Sequence, residues 1–212
     1  MKVAFAAATE SDAAELAALH CAVAEDLTSR FGRGPWSSMA TERGVLVGLR
    51  RPEFSRILIA RANRRIVGTL RLATKKPWAI DTAYFTAAER PLYLTGMAVH
   101  PDLQRKGIGR LLLKKAEAAA RAWPADAVRL DAFNAPAGAG EFYAKCGFRE
   151  VARVSYKQTP LVYFELAFYS SDHSRSSMRE YSPDAKISKS KFMSAMSVYC
   201  AWLCRQRKIA SA

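Results

Sequence analysis

The chain has 212 residues and a formal net charge of +14, from 33 lysines and arginines against 19 aspartates and glutamates. Half of the residues are hydrophobic and a quarter are charged, which is enough apolar material for one ordinary core and excludes a globally disordered chain. Four scattered cysteines (Cys21, Cys146, Cys200, Cys204) exclude a small disulfide scaffold and show no zinc-ligand spacing, so no metal is expected.

Val3–Ala7 reads as a strand. The run is too short, and too soon followed by Glu10 and Asp12, for a signal peptide. Glu10–Leu27 carries apolar residues at helical spacing with Ser11 as the expected cap, and Pro35–Leu49 reads as a second helix. Arg56–Arg61 and Ile66–Ala73 flank a turn at Ala62, Asn63 and Arg64, the pattern of a hairpin. Thr74–Arg90 shows no clear period. Leu92–Val99 is a strand interrupted by Gly96, a position that favours a bulge. Gly107–Trp123 has one apolar face and stops at Pro124. Val128–Phe133 is a strand, Gly138–Lys145 a short helix, and Phe148–Tyr156 and Leu161–Phe168 are final strands. No apolar run is long enough to span a bilayer, and a cytoplasmic protein with reduced thiols is expected.

Residues 170–212 hold eleven serines and eight basic against three acidic residues. That shift sets the expected domain at 1–169 and a basic, serine-rich tail at 170–212. Within the tail, Phe192, Ala195, Met196, Tyr199 and Leu203 fall at helical spacing, the pattern of a short amphipathic helix.

The segment from Leu92 to Leu113 is the most informative. An apolar strand stops at Pro101, a short polar turn holds Gly107 and Gly109, and a leucine-rich helix follows. The N–H groups at a helix start lack intrahelical acceptors and the helix dipole adds positive potential, so the turn with Arg105, Lys106 and Arg110 is an anion site. A Rossmann fingerprint would need glycine where Leu112 stands, and a P-loop would need a Gly-Lys-Ser/Thr end; neither fits.

Gln104-Arg-Lys-Gly107-Ile-Gly109 after a strand, followed by Glu141-Phe-Tyr-Ala-Lys-Cys-Gly-Phe148, resembles the signatures of the GCN5-related N-acetyltransferase (GNAT) superfamily. The resemblance covers about residues 1–169. It implies an α/β (α+β) fold: a mixed, mostly antiparallel central sheet with helices on both faces and a V-shaped splay between strands 4 and 5. It also implies acetyl-CoA as cosubstrate, with the pantetheine arm on the backbone of Met97, Ala98 and Val99. The pyrophosphate is then expected on Gln104, Arg105, Lys106, Gly107, Ile108, Gly109 and Arg110. Asn134 matches the family's asparagine after the fifth strand, and Tyr143 matches the tyrosine placed near the CoA sulfur as general acid. Lys114 and Lys145 are weaker candidates for the 3′-phosphate.

The implied activity is direct transfer of acetyl from acetyl-CoA to a primary amine of a small molecule or a protein. The alternative is a noncatalytic acyl-CoA-binding module of the same fold. The general base is open, with Glu25, Asp81 and Glu89 as candidates. Cys146 reads as a buried structural thiol, His100 as a turn residue after the strand, and His20 and His173 have no partner in any motif. Basic pairs such as Arg50-Arg51 and Lys114-Lys115 are dispersed and lack interleaved aromatics, so no specific nucleic-acid partner is expected. A homodimer and the identity of the acceptor stay open.

Overall fold

Seven strands form one sheet in the computed structural model, which describes residues 2–168. The strands are β1 (Val3–Ala7), β2 (Ser55–Ala62), β3 (Arg65–Ala73), β4 (Pro91–Val99), β5 (Ala127–Phe133), β6 (Arg149–Tyr156) and β7 (Thr159–Ala167). The helices are α1 (Ala13–Phe31), α2 (Glu42–Leu49), α3 (Ile108–Ala122) and α4 (Gly140–Lys145). Spatial order is β1-β2-β3-β4-β5-β7-β6, and only the β4–β5 pair is parallel. The tail helix expected around Phe192–Leu203 lies outside the described residues.

Local chemistry explains the elements and three departures from expectation. The β2–β3 hairpin closes on two residues, Asn63 and Arg64, both with positive φ (48° and 67°), the backbone that matches the twist of paired strands. The first helix is entered through a 3-10 turn at Glu10–Asp12, and its cap is Thr9 rather than Ser11: the Asp12 carboxylate accepts the Thr9 N–H at 2.8 Å. The helix then runs four residues past Leu27, and Gly32 (φ 76°) ends it. The second expected helix is divided. Pro35–Ser37 forms a single 3-10 turn, and α2 starts only where the Thr41 hydroxyl caps Gly44 N–H.

The two faces of the sheet bury different clusters. On the first face, α3 and α4 cover Leu72, Leu94, Leu130 and Phe164 with Leu112, Ala116 and Tyr143. On the second, α1 and α2 cover Ile59, Ile66 and Ala98, while the β3–β4 loop lays Ile80 and Phe85 over Tyr93, Leu161 and Tyr163. The sheet opens between these halves. β4 pairs with β5 only through Pro91, Leu92 and Tyr93 against Ala127, Val128 and Arg129. From Leu94 and Leu130 onward the two strands part, each held by its other neighbour, β3 or β7. This is the expected V between strands 4 and 5.

Candidate functional site

The β4 wall of the V is shaped by a bulge. Three steps along β4, from Thr95 to Ala98, face two steps along β3, from Arg71 to Thr69, and Gly96 has φ 58°, a conformation that glycine adopts without penalty. The extra residue reverses the alternation of the strand. Leu92 and Leu94 point to the first face before the bulge, Met97 and Val99 point there after it, and Ala98 packs on the second face. Past Tyr93 the β5-facing backbone edge of β4 has no strand beside it among the described residues, so its polar groups stand available to an extended amide chain.

Immediately beyond lies the turn into α3. Gly107 caps this helix at φ 82°, and Arg105 also has positive φ, 59°. No side chain caps the helix, no acid stands in its first turn, and the first intrahelical bond runs from Leu111 N–H to Gly107 C=O. The N–H groups of Ile108, Gly109 and Arg110 are therefore left without intrahelical acceptors. Gly109 is needed for space: a Cβ there would lie 3.1 Å from the Phe142 ring and 3.3 Å from the Met97 methyl.

The remaining residues of this turn divide. Gln104 turns back and donates its side-chain amide to Val99 C=O at 3.2 Å, tying the turn to the end of β4. Lys106 donates to Asp102 C=O at 2.9 Å. Arg105 and Arg110 are exposed. Alongside runs an open groove of about 260 Å³ between α3 and the end of α4, lined by Arg110, Lys114, Lys145, Cys146 and Phe148. Lys145 also pairs with Glu141 at 3.2 Å. Asn134 is exposed just after β5, with its backbone N–H on Pro160 C=O at 2.9 Å.

Two ionisable groups meet across the β5 wall. Tyr143 comes from α4 on the first face, where its ring is buried among Phe142, Phe148 and Phe164. Its hydroxyl makes no hydrogen bond to the described residues. Burial first, then the nearby Asp131 and Cys146, raise the Tyr143 phenol well above its ordinary range, so it holds its proton at neutral pH. Asp131 stands on β5 beyond the last β4–β5 pair, opposite Tyr163 in register and on the second face. Burial pushes its carboxyl up to about 6, the range of a base that works near neutrality.

Reading the sequence for acids in the loops missed Asp131. The signal was present as the single acid inside the apolar run Val128–Phe133. The three acids singled out instead are all exposed. Glu89 sits at the closed end of the V, where Asp126 just before β5 accepts its N–H at 3.0 Å and that of Arg90 at 2.8 Å. Asp81 is exposed and caps a turn by accepting Ala83 N–H at 3.0 Å. Glu25 is exposed on α1. His100 is half-exposed at the end of β4, with Nδ1 3.7 Å from Asp102. His20 lies on α1 beside Thr69, Arg71 and Gly96, and burial lowers its imidazole to about 4.

A buried ionic network fixes the second face. Arg129 and Glu165 are 3% and 2% exposed and pair at 3.0 Å. Arg129 also donates to Thr86 C=O, and the Thr86 hydroxyl donates to Glu165 at 2.7 Å. With the Tyr163 hydroxyl donating to Ala79 C=O, these bonds pin the β3–β4 loop over β5 and β7. Glu165 also pairs with the exposed Arg149 at 3.3 Å, whereas removing Glu165 would leave Arg129 buried without its carboxylate, a cost of about 3–5 kcal/mol. Among the described residues no three His, Cys, Asp or Glu side chains gather as metal ligands.

The family model described as acetyltransferase (GNAT) family matches residues 17–148. No curated protein sequence matches the chain. Among solved structures, the PaiA N-acetyltransferase of Thermoplasma acidophilum in complex with coenzyme A is 16% identical, with a TM-score of 0.61 over 79% of this chain and 100% of that one. A GNAT-family acetyltransferase of Streptococcus pneumoniae is 21% identical, with a TM-score of 0.59 over 79% and 100%. YncA of Salmonella typhimurium, solved with acetyl-CoA, is 16% identical, with a TM-score of 0.60 over 84% and 99%. At these identities the likeness is one of fold.

Proposed function

The matched span exceeds half of the chain, which therefore belongs to the acetyltransferase (GNAT) family, and from that premise we propose that it moves acetyl from acetyl-CoA directly to a primary amine. The carrying observation is a single opening in the sheet with an uncapped, acid-free helix start on one face and the carboxylate of Asp131 on the other.

The residues present suit a pyrophosphate-bearing thioester. The N–H groups of Ile108, Gly109 and Arg110, with the left-handed turn through Arg105 and Gly107, receive the pyrophosphate. Arg105 and Arg110 add charge, and Gln104 and Lys106 hold the turn in shape. Lys114 and Lys145, on the adjoining groove, face the 3′-phosphate. Met97, Ala98 and Val99 offer a free strand edge to the pantetheine amides, and a backbone N–H there polarises the acyl carbonyl. Asn134, at the mouth of β5, closes the same side. When bound, acetyl-CoA supplies an acyl group activated as a thioester.

The chemistry of this chain is proton handling. Asp131 takes a proton from the incoming ammonium, leaving the nitrogen lone pair free to attack. As the N–C bond forms and the C–S bond breaks, the Tyr143 hydroxyl hydrogen-bonds to the departing sulfur and delivers a proton to it. A thiol is more acidic than a phenol, so this donation accompanies bond cleavage and does not precede it. The nitrogen sheds its second proton to water as the intermediate collapses, Tyr143 regains its proton from water and Asp131 returns its own to water, so that one amide, one thiol and one net proton result. We place the activity in the cytosol, in keeping with the free thiols of Cys21 and Cys146. No helix among the described residues is long and apolar enough to cross a membrane.

The test is thiol release from acetyl-CoA across a panel of primary amines. Amine-dependent formation of free CoA is expected. A chain that binds acetyl-CoA and releases thiol with none of the amines is the noncatalytic module.

A further inference from the structure

On the second face, the surroundings of Asp131 carry a statement about the acceptor. Two residues on along β5, Phe133 shares its face and packs edge-on against Trp36 from the loop after α1, with ring centres 5.7 Å apart. Across the strand pair stands Tyr163, with Phe85 stacked on it at 5.4 Å and Tyr84 edge-on at 5.9 Å. Rings therefore bound the carboxylate along its own strand and across to the next.

No cation among the described residues answers it. Asp131 has no ion pair and no side-chain hydrogen bond among the described residues, and what perturbs it is burial and its own backbone. The nearest cation on its strand, Arg129 two residues before, is committed to Glu165 and Thr86 and covered by the Phe85 ring at 4.9 Å. The other groups that face Tyr163 from the packed loop are an acid, Asp81, and a phenol, Tyr84. A half-buried carboxylate among rings favours a cation, which gains both the charge pairing and the ring faces. It offers nothing to an acceptor that carries a carboxylate or a phosphate of its own.

We infer that the acceptor is a small monoamine whose ammonium pairs with Asp131 and whose apolar or aromatic body lies among Trp36, Phe133 and Tyr84. This inference rests on the transferase reading above and names the acceptor class of the same site. Three groups then divide the work: Asp131 holds the charge, Phe133 and Tyr163 form a fixed floor, and the half-exposed Tyr84 and Trp36 form the rim that reads the body.

The test compares matched amines on the full chain saturated with CoA. 2-Phenylethylamine and phenylalanine share one aromatic body and one amine and differ by a carboxylate; ethanolamine keeps the amine and lacks the ring. Calorimetry is expected to give one saturable site for 2-phenylethylamine, bound at least about tenfold more tightly than either of the others. Asp131→Asn, close in shape to the original, should weaken that binding at least about tenfold, and Trp36→Ala should weaken 2-phenylethylamine while leaving ethanolamine unchanged. With acetyl-CoA, the ranking of kcat/KM should follow the ranking of affinities. Equal or tighter binding of phenylalanine or ethanolamine, or binding indifferent to both substitutions, overturns the inference. If amines outside this class are acetylated faster, the transferase reading stands and the acceptor class falls. If 2-phenylethylamine binds as described and no amine releases thiol, the amine site stands and the transferase reading falls.

Discussion

The two faces of the open sheet meet at one gap and are built in opposite ways. The first face presents backbone: an uncapped helix start, two left-handed turn residues, a bulged strand edge and basic side chains without an acid in the first turn. The second presents side chains: one carboxylate, a floor of aromatic rings, and arginine already neutralised by glutamate. A site made of backbone needs only short-range sequence, glycine where φ is positive and small residues where space is short. A site made of side chains from β5, β7, the loop after α1 and the β3–β4 loop needs tertiary packing to exist at all.

The largest effect that can separate the faces is expected from Asp131→Asn. It should lower kcat/KM by about a hundredfold or more while acetyl-CoA affinity changes little. The rise of kcat/KM with pH through about 6 in the wild type should disappear. Retention of that limb in the variant would assign the base elsewhere.

Tyr143→Phe is expected next in size, at about ten- to a thousandfold in kcat. It removes one hydroxyl and keeps the ring packing against Phe148 and Phe164. Wild-type kcat in this variant, measured where chemistry limits the rate, would leave Tyr143 a packing residue.

This contrast also explains what was legible beforehand. The Gly107 and Gly109 turn and the Gly96 bulge followed from contiguous residues, because strand, turn and helix start are neighbours in sequence and their physics is local, whereas the V was expected only from the family resemblance. Asp131 did not follow, since its importance arises from its place opposite Tyr163 and beyond the last β4–β5 pair. Trp36 likewise meets Phe133 from a segment read as the start of a continuous helix. That reading failed because Gly34 and Pro35 favour a turn, and α2 waits for the Thr41 cap. Ser11 gave way to Thr9 as cap because the Asp12 carboxylate accepts both the N–H and the hydroxyl of Thr9.

A smaller effect joins the two burials of opposite sign, His20 and Asp131. Asp131 folds with its carboxyl raised from 3.8 to about 6. Between pH 4 and 6 the native chain therefore holds a proton that the unfolded chain lacks, and this contribution to stability falls as pH rises. His20 folds with its imidazole lowered from 6.5 to about 4. The unfolded chain then holds the extra proton, and this contribution rises with pH over the same window. Each is of order 2–3 kcal/mol, and in the wild type they offset. Asp131→Asn should steepen the loss of melting temperature from pH 7 to 4.5, and His20→Gln should flatten or reverse it. Parallel shifts in the two variants would refute this pairing.

The smallest effect is expected from ending the chain after Phe168. The seven strands of the sheet are complete by Ala167, so the shortened chain should melt cooperatively and bind acetyl-CoA within about twofold of the full one. Aggregation or a lost transition would make the residues beyond Phe168 part of the fold.

The central claim is that one gap in the sheet joins a cosubstrate site on one face to an acceptor site on the other. A crossed binding experiment tests it most directly: calorimetry of acetyl-CoA, and of 2-phenylethylamine at saturating CoA, on Gly109→Trp and Asp131→Asn. Gly109→Trp, which crowds the Phe142 and Met97 contacts, should weaken acetyl-CoA at least about tenfold, roughly 1.4 kcal/mol, and leave the amine affinity unchanged. Asp131→Asn should do the reverse. Loss of both affinities in both folded variants, or of neither, would contradict the division of the site between the two faces.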